Sequence, residues 1–268
     1  MLLLVDLDGV VYRGPDPVPG MPALLTQREA AGDIIVYVTN NSRWHRSQYL
    51  DRLLDMGAPA VQERILTSAR GTALAMAGSP HPPRCAMVLG GPGLERELRD
   101  VGLPTVQAGA AGLAEDPDAV VVGVDCDLDY ERLSAAASAV RAGAFFVATN
   151  RDAVFPGADG LEAGAGAMVA AVAVAARKEP DLVVGKPEPG LMLAAAKVVG
   201  LDAKDAVVIG DGPATDILAA HAVGARSVLM LTGVTTVAMA KALPAEQRPT
   251  VIARDAAELG PILDALAA

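Results

Sequence analysis

Residues 2–7 read as a strand whose apolar positions run without alternation and whose end opens the sequence Asp6-Leu7-Asp8-Gly9. No other feature limits the fold so tightly. A strand with apolar side chains on both faces must be covered on both, which is the situation of a parallel sheet flanked by helices. The same kind of run recurs at 34–38, 206–209 and 227–231, alternating with helical periodicity at 21–31, 42–56 and 215–222. Pro22 lies in the first turn of the first helix and Gly32 stops it. This rhythm predicts an α/β chain with a doubly wound, Rossmann-like parallel sheet. The middle of the chain repeats it, with strands expected at 86–89, 119–124 and 145–148 and helices at 94–101, 130–142 and 164–177. Ser79-Pro80-His81-Pro82-Pro83 and Lys178-Glu179-Pro180-Asp181 bracket that middle part as linkers. The expected organisation is a core from 1–80 plus 181–268, with a second α/β domain inserted at 81–180.

Composition removes several classes of function. Hydrophobic residues make up 52% of the 268, enough to bury a sizeable core. Aromatics are only 3% and the net charge is -10, which excludes stacked single-strand recognition and repels nucleic acid and anionic membrane surfaces. The uncharged stretch 163–176 is shorter than the roughly 18 residues of a membrane helix, and Met1 to Val5 has no basic region like that of a secretory signal. Cys85 and Cys126 show no paired spacing and read as small buried hydrophobes in a reducing, cytoplasmic setting.

Three of the expected strands end alike: Val5 in Asp6, Val38 in Thr39-Asn40-Asn41, and Ile209-Gly210 in Asp211. Parallel neighbours would gather these polar groups at the carboxyl edge of the sheet, where α/β proteins bind ligands. A carboxylate there can attack phosphorus, and a second one two residues on, Asp8, can serve the leaving oxygen and then the hydrolytic water. Asp6, Asp211 and Asp216 are hard oxygen donors suited to Mg²⁺, and Lys186 in Gly185-Lys186-Pro187 is the natural cation for phosphoryl oxygens. Thr39 and Asn40 offer donors at a helix start, and Ser42 reads as a plain N-cap.

Asp6-Leu7-Asp8-Gly9-Val10, Thr39-Asn40-Asn41-Ser42, Gly185-Lys186-Pro187 and Gly210-Asp211-Gly212-Pro213-Ala214-Thr215-Asp216 stand in the order of the four motifs of the haloacid dehalogenase superfamily. The chain resembles its NagD-like branch, which includes p-nitrophenyl, phosphoglycolate and pyridoxal phosphatases, and the insertion resembles that branch's C2-type cap. The resemblance implies a Mg²⁺-dependent phosphatase of small phosphorylated metabolites, with Asp6 as nucleophile and Asp8 as general acid and base. It implies that Thr39 and Lys186 bind the phosphoryl group, with Asn40 holding the loop or the phosphate. Mg²⁺ would be held by the Asp6 side chain, the Asp8 carbonyl and Asp211, with Asp216 in support. Thr149-Asn150-Arg151-Asp152 is similar to the branch's substrate-facing loop, so Asn150, Arg151 and Asp152 are the expected specificity residues.

Other readings have less behind them. A phosphotransferase or mutase would use the same scaffold, and a phosphorylated receiver would lack both Asp8 and the insertion. Gly90-Gly91-Pro92-Gly93 fits no phosphate-loop pattern, and Gly185-Lys186 lacks the Ser or Thr of a P-loop. His45, His81 and His221 have no metal-ligand spacing and read as surface or capping residues. The stretch 163–176 reads as a cap helix, or alternatively as a homodimer contact.

Overall fold

The computed structural model describes residues 1–157 and 160–267. The strands of its two larger sheets are β1 (Leu2–Asp6), β2 (Ile34–Thr39), β3 (Ile65–Thr67), β4 (Ala86–Leu89), β5 (Thr105–Gln107), β6 (Ala119–Val122), β7 (Phe145–Ala148), β8 (Leu182–Val183), β9 (Ala206–Gly210), β10 (Arg226–Met230) and β11 (Val251–Ala253). Six form one sheet in the order β11-β10-β9-β1-β2-β3, and five form another in the order β8-β7-β6-β4-β5. β1 runs parallel to β9 and β2, and β10 runs parallel to β9 and β11. The second sheet is parallel throughout.

Two compact units result: residues 1–39, 47–66 and 186–268, and residues 40–46 and 67–185. In the first unit, Leu3, Val5, Ile35, Tyr37, Val207 and Ile209 pack with Leu25, Leu53, Leu259 and Leu263 from the flanking helices. Each such side chain contributes about 1.5–3 kcal/mol when fully buried. The continuous apolar strands are thus buried on both faces.

The second unit has its own core. One layer packs Met87, Val120, Val122 and Phe146 against Ala136, Val140, Met168, Val169 and Val172. Its other face packs Val88, Val121 and Val147 against Leu94, Leu98, Ala69, Ala73 and Met76. The last three belong to helix Ser68–Ala77. That helix lies on the core side of the boundary expected at 80/81, but its alanine face covers the second sheet. The proline-rich stretch marks a loop within this unit, not a change of core.

Residues 40–46 also belong to this unit, where a helix starting at Ser42 was expected. The helix is Arg46–Asp55. Ser42 is fully buried, and its Oγ accepts the Val124 N–H at 3.1 Å. Glycine makes the close approach possible, because a Cβ on Gly93 would meet the backbone of Arg43, Trp44 and His45 at 2.5–2.6 Å. Gly90 to Gly93 is therefore a packing feature. His45, directly before helix Arg46–Asp55, is buried and bonded through Nε2 to Asp100 at 3.0 Å, so it is not a surface residue. The thiols depart from expectation too, with Cys85 half-buried and Cys126 exposed. Strands Val154–Gly157 and Gly160–Ala163 pair antiparallel, which periodicity did not reveal. Among the described residues, no helix is long and apolar enough to cross a membrane.

Candidate active site

Strand register assembles the site. Val5 is level with Ile209 on one side and Tyr37 on the other, and Asp6 is level with Val38. Asp6, Thr39 and Asp211 therefore leave the sheet at one edge. Beyond Asp6 the chain folds tightly, with the Leu7 carbonyl accepting the N–H groups of Val11 and Tyr12 at 2.8 and 3.2 Å. Gly9 donates to the Tyr12 carbonyl at 2.8 Å with φ +78°, a conformation glycine adopts without steric cost. Its missing side chain also matters, since a Cβ there would lie 2.7 Å from the Asp211 carboxyl carbon.

Lys186 brings two acids together. Its Nζ donates to Asp6 Oδ1 at 2.5 Å, to Asp216 Oδ1 at 2.6 Å and to the Val38 carbonyl at 3.4 Å. Lys186 is only 3% exposed. Burial alone would lower its pKa, but Asp216 and Asp6 outweigh that and raise it, so Lys186 stays charged. The π-helical turn Pro213–Ile217 folds Asp216 back on itself, and its Oδ2 accepts the Gly212 N–H at 3.0 Å. Asp211 accepts the Val234 N–H at 2.6 Å on Oδ2 and the Thr235 hydroxyl at 2.6 Å on its backbone carbonyl.

The electrostatics leave a deficit of positive charge. Carboxylate oxygens of Asp6, Asp211 and Asp216 lie within 4.8 Å of one another, and the Lys186 ammonium pairs with Asp6 and Asp216. Burial pushes the Asp6 carboxyl well above the ordinary range, with Asp216 and Asp211 adding to the rise and Lys186 opposing it. Burial and Asp216 raise Asp211 to about 6. A buried oxygen cluster with excess negative charge is a donor set that fits Mg²⁺. Asp8, half-buried, is also raised by burial, against the pull of Arg52 and Lys186. Arg52 lies 3.6 Å above the ring of Tyr12 and bonds the Gly14 carbonyl, which pins the loop that carries Asp8.

The remaining expected residues lie in the second unit. Asn150 is buried, and its amide donates to the Asn40 carbonyl at 2.6 Å. Asp152 accepts the Asn40 amide at 3.0 Å. Arg151 is exposed and pairs with Glu179 at 2.8 Å. Asn150 thus has a hydrogen-bonding task inside its own unit.

Residues 3–104 match the model for haloacid dehalogenase-like hydrolases, and residues 183–259 match a second model of HAD-hydrolase-like proteins. Acid sugar phosphatase of Staphylococcus aureus is 36% identical over 233 residues, 87% of each chain. The chain belongs to the haloacid dehalogenase-like hydrolases. Among solved structures, p-nitrophenyl phosphatase from Archaeoglobus fulgidus is similar with a TM-score of 0.89 and 32% identity, covering 97% of this chain and 98% of that one. Glycerol phosphate phosphatase from Mycobacterium tuberculosis, in complex with magnesium, gives a TM-score of 0.88 at 36% identity, covering 97% and 76%. The second sheet of this hydrolase is accordingly an inserted C2-type cap.

Sequence reading missed some of the hydrolase's site. Thr232, Val234 and Thr235 follow β10, a neighbour of β9, and so reach the same edge. Thr232 Oγ1 donates to the Gly9 carbonyl at 2.7 Å. Extending the strand-end rule to this strand would have found them. Arg52 gave no such signal, because its position depends on how its helix packs beside the Asp8 loop.

Proposed function

We propose that Asp6 of this hydrolase attacks the phosphorus of a small phosphate monoester. The chain is a phosphatase of small-molecule phosphate monoesters, and the placement of its residues supports the following roles. An Asp6 carboxylate oxygen forms a bond to phosphorus as the ester P–O bond breaks, and Asp8 gives its proton to the departing alkoxide. Water then attacks the phosphoaspartate, Asp8 takes the water's proton, and inorganic phosphate leaves with Asp6 restored. Burial supports Asp8 in its first role, since it holds the carboxyl protonated to higher pH. Lys186 and Thr39 bind the phosphoryl oxygens, and Asn40 assists them.

Asp6, Asp211 and the Asp8 backbone carbonyl would hold Mg²⁺, which supplies the charge neutralisation that brings a carboxylate and a phosphate dianion together. Asp216 supports that site through Lys186 and the Gly212 N–H. The observation that carries this reading is the triad of Asp6, Asp211 and Asp216 around one buried lysine.

The relatives named above act on sugar phosphate, glycerol phosphate and p-nitrophenyl phosphate, so these head the substrate panel. Arg151, exposed on the cap, is the proposed contact for a polar leaving group. A homodimer through the cap would use the outward face of helix Ala165–Ala176, where Val174 is exposed; sedimentation would reveal it. A cytoplasmic setting would keep Cys85 and Cys126 reduced.

The test is free phosphate release from the panel with Mg²⁺ and with a chelator. Release from a few members, lost on chelation, is the expected result. No release from a folded, Mg²⁺-supplied sample, or phosphate appearing only on a second alcohol, would overturn hydrolysis in favour of transfer.

A further inference from the structure

Asn40 follows Thr39 directly, yet it belongs to the cap unit, and three pieces of that unit hold it. Its backbone carbonyl accepts from Ser68 Oγ and from Asn150 Nδ2, both at 2.6 Å. Its side-chain Nδ2 donates to Asp152 Oδ2 at 3.0 Å. Asn150 closes the arrangement, because its Oδ1 accepts the Asp152 N–H at 3.0 Å and so shapes the turn that delivers the carboxylate. Gly185 completes it from the other side. A Cβ there would lie 2.6 Å from Asn150 Cβ and 2.7 Å from Asn40 Oδ1, so only glycine lets the residue before Lys186 close on this amide.

Ionised Asp152 can only accept hydrogen bonds. It therefore decides which end of the Asn40 amide turns toward it, and it leaves the second Nδ2 hydrogen in a fixed direction. We propose that Asp152 is a positioning residue for phosphate binding, acting through Asn40 and supported by Asn150, and is not a reader of the leaving group. This rests on the phosphatase reading and on Asn40 as a phosphate-binding residue. The two roles for Asp152 have different kinetic signatures. A group that acts on the phosphoryl site changes every substrate by one factor, whereas a leaving-group reader changes the ratios between substrates.

Inorganic phosphate has no leaving group, so its competitive inhibition constant isolates the phosphoryl site. In Asp152→Ala, that constant and the KM of each panel substrate should rise together by about fivefold to tenfold, as expected for loss of one charge-assisted hydrogen bond. The order of kcat/KM across the panel should not change. Asp152→Asn keeps an acceptor oxygen and should stay within about twofold of the wild type. Adding Asp152→Ala to Asn40→Ala should raise the phosphate constant little further, since the bond between the two side chains is already gone. Should the alanine variant not fold, Asp152→Glu displaces the carboxylate by one methylene and gives the same readout.

An unchanged phosphate constant, a reordered panel or additive effects in the double variant would each overturn the proposal. So would equal losses in the alanine and asparagine variants together with a lowered melting temperature. Failure of the wild type to release phosphate at all would instead count against the phosphatase reading.

Discussion

Replacing Asp6 with asparagine is expected to lower turnover by at least about ten-thousandfold, the scale of losing an enzyme's nucleophile, with the fold intact. The amide is a poor nucleophile toward phosphorus, and no neighbouring carboxylate can take over without leaving its own partners. Asp216 is tied to Lys186 and the Gly212 N–H, and Asp211 to the Val234 N–H. Stability should move the other way. Asp6 is buried beside two other acids, and its carboxyl is held well above the ordinary range, first by burial and then by Asp216 and Asp211. Removing its charge relieves repulsion in the metal-free protein, while Lys186 keeps Asp216.

The sign of the pH dependence follows from the direction of these shifts. A carboxyl whose pKa is raised by folding binds more protons in the native state than in the unfolded one, so stability falls as pH rises through the interval between the two values. For Asp211 that interval runs from 3.8 to about 6. The chelated protein should lose stability across it, and Asp6→Asn should flatten the loss. Phosphate release and melting curves with and without Mg²⁺ measure both effects. Wild-type turnover in the variant would refute Asp6 as nucleophile.

The parts of this molecule that can be read from its sequence are those in which local pattern and chemistry coincide. Continuous apolar runs must be buried on both faces, so β1, β2, β9 and β10 and their parallel sheet follow from residue type alone. Asp6, Thr39 and Asp211 follow in turn, because parallel neighbours deliver their ends to one edge. Legibility fails where a residue's environment comes from far along the chain. Ser42 looks like an N-cap, but its hydroxyl is taken by the N–H of Val124, 82 residues away. His45 looks like a surface residue until Asp100, 55 residues on, reaches it. Helix Ser68–Ala77 has an alanine face that would suit either sheet, and only the assembled second sheet decides between them. Asn150 and Asp152 stand out in the sequence as members of one loop, but no local pattern says that their partner is Asn40.

The second large effect is expected at Glu97, a charge that the chemistry does not use. It is fully buried, and it accepts the Arg46 N–H at 3.0 Å on Oε1 while Oε2 pairs with the Arg46 guanidinium. Arg70 Nη1 lies 3.8 Å from Oε2 with no hydrogen bond of its own, and burial, followed by Arg46, lowers the Arg70 pKa. Asp100 shares the load, bonded to Arg46 at 3.1 Å and His45 at 3.0 Å, but its side chain is 31% exposed. Removing one member of a buried ion pair costs about 3–5 kcal/mol, because the stranded partner remains desolvated. Asp100 places Glu97→Ala near the lower end, about 3 kcal/mol, which for a unit of this size lowers the melting temperature by roughly 6–12 °C. Glu97→Gln keeps an oxygen for the Arg46 N–H and should lose about half as much. Asp100→Asn should lose less than about 1 kcal/mol, as an exposed pair does. Denaturant melts of the three variants would check this order. A loss below about 1 kcal/mol in Glu97→Ala would mean that Arg46 re-pairs elsewhere at little cost. The larger loss would identify this cluster as what fastens residues 43–46, and with them the chain just beyond Asn40, to the cap.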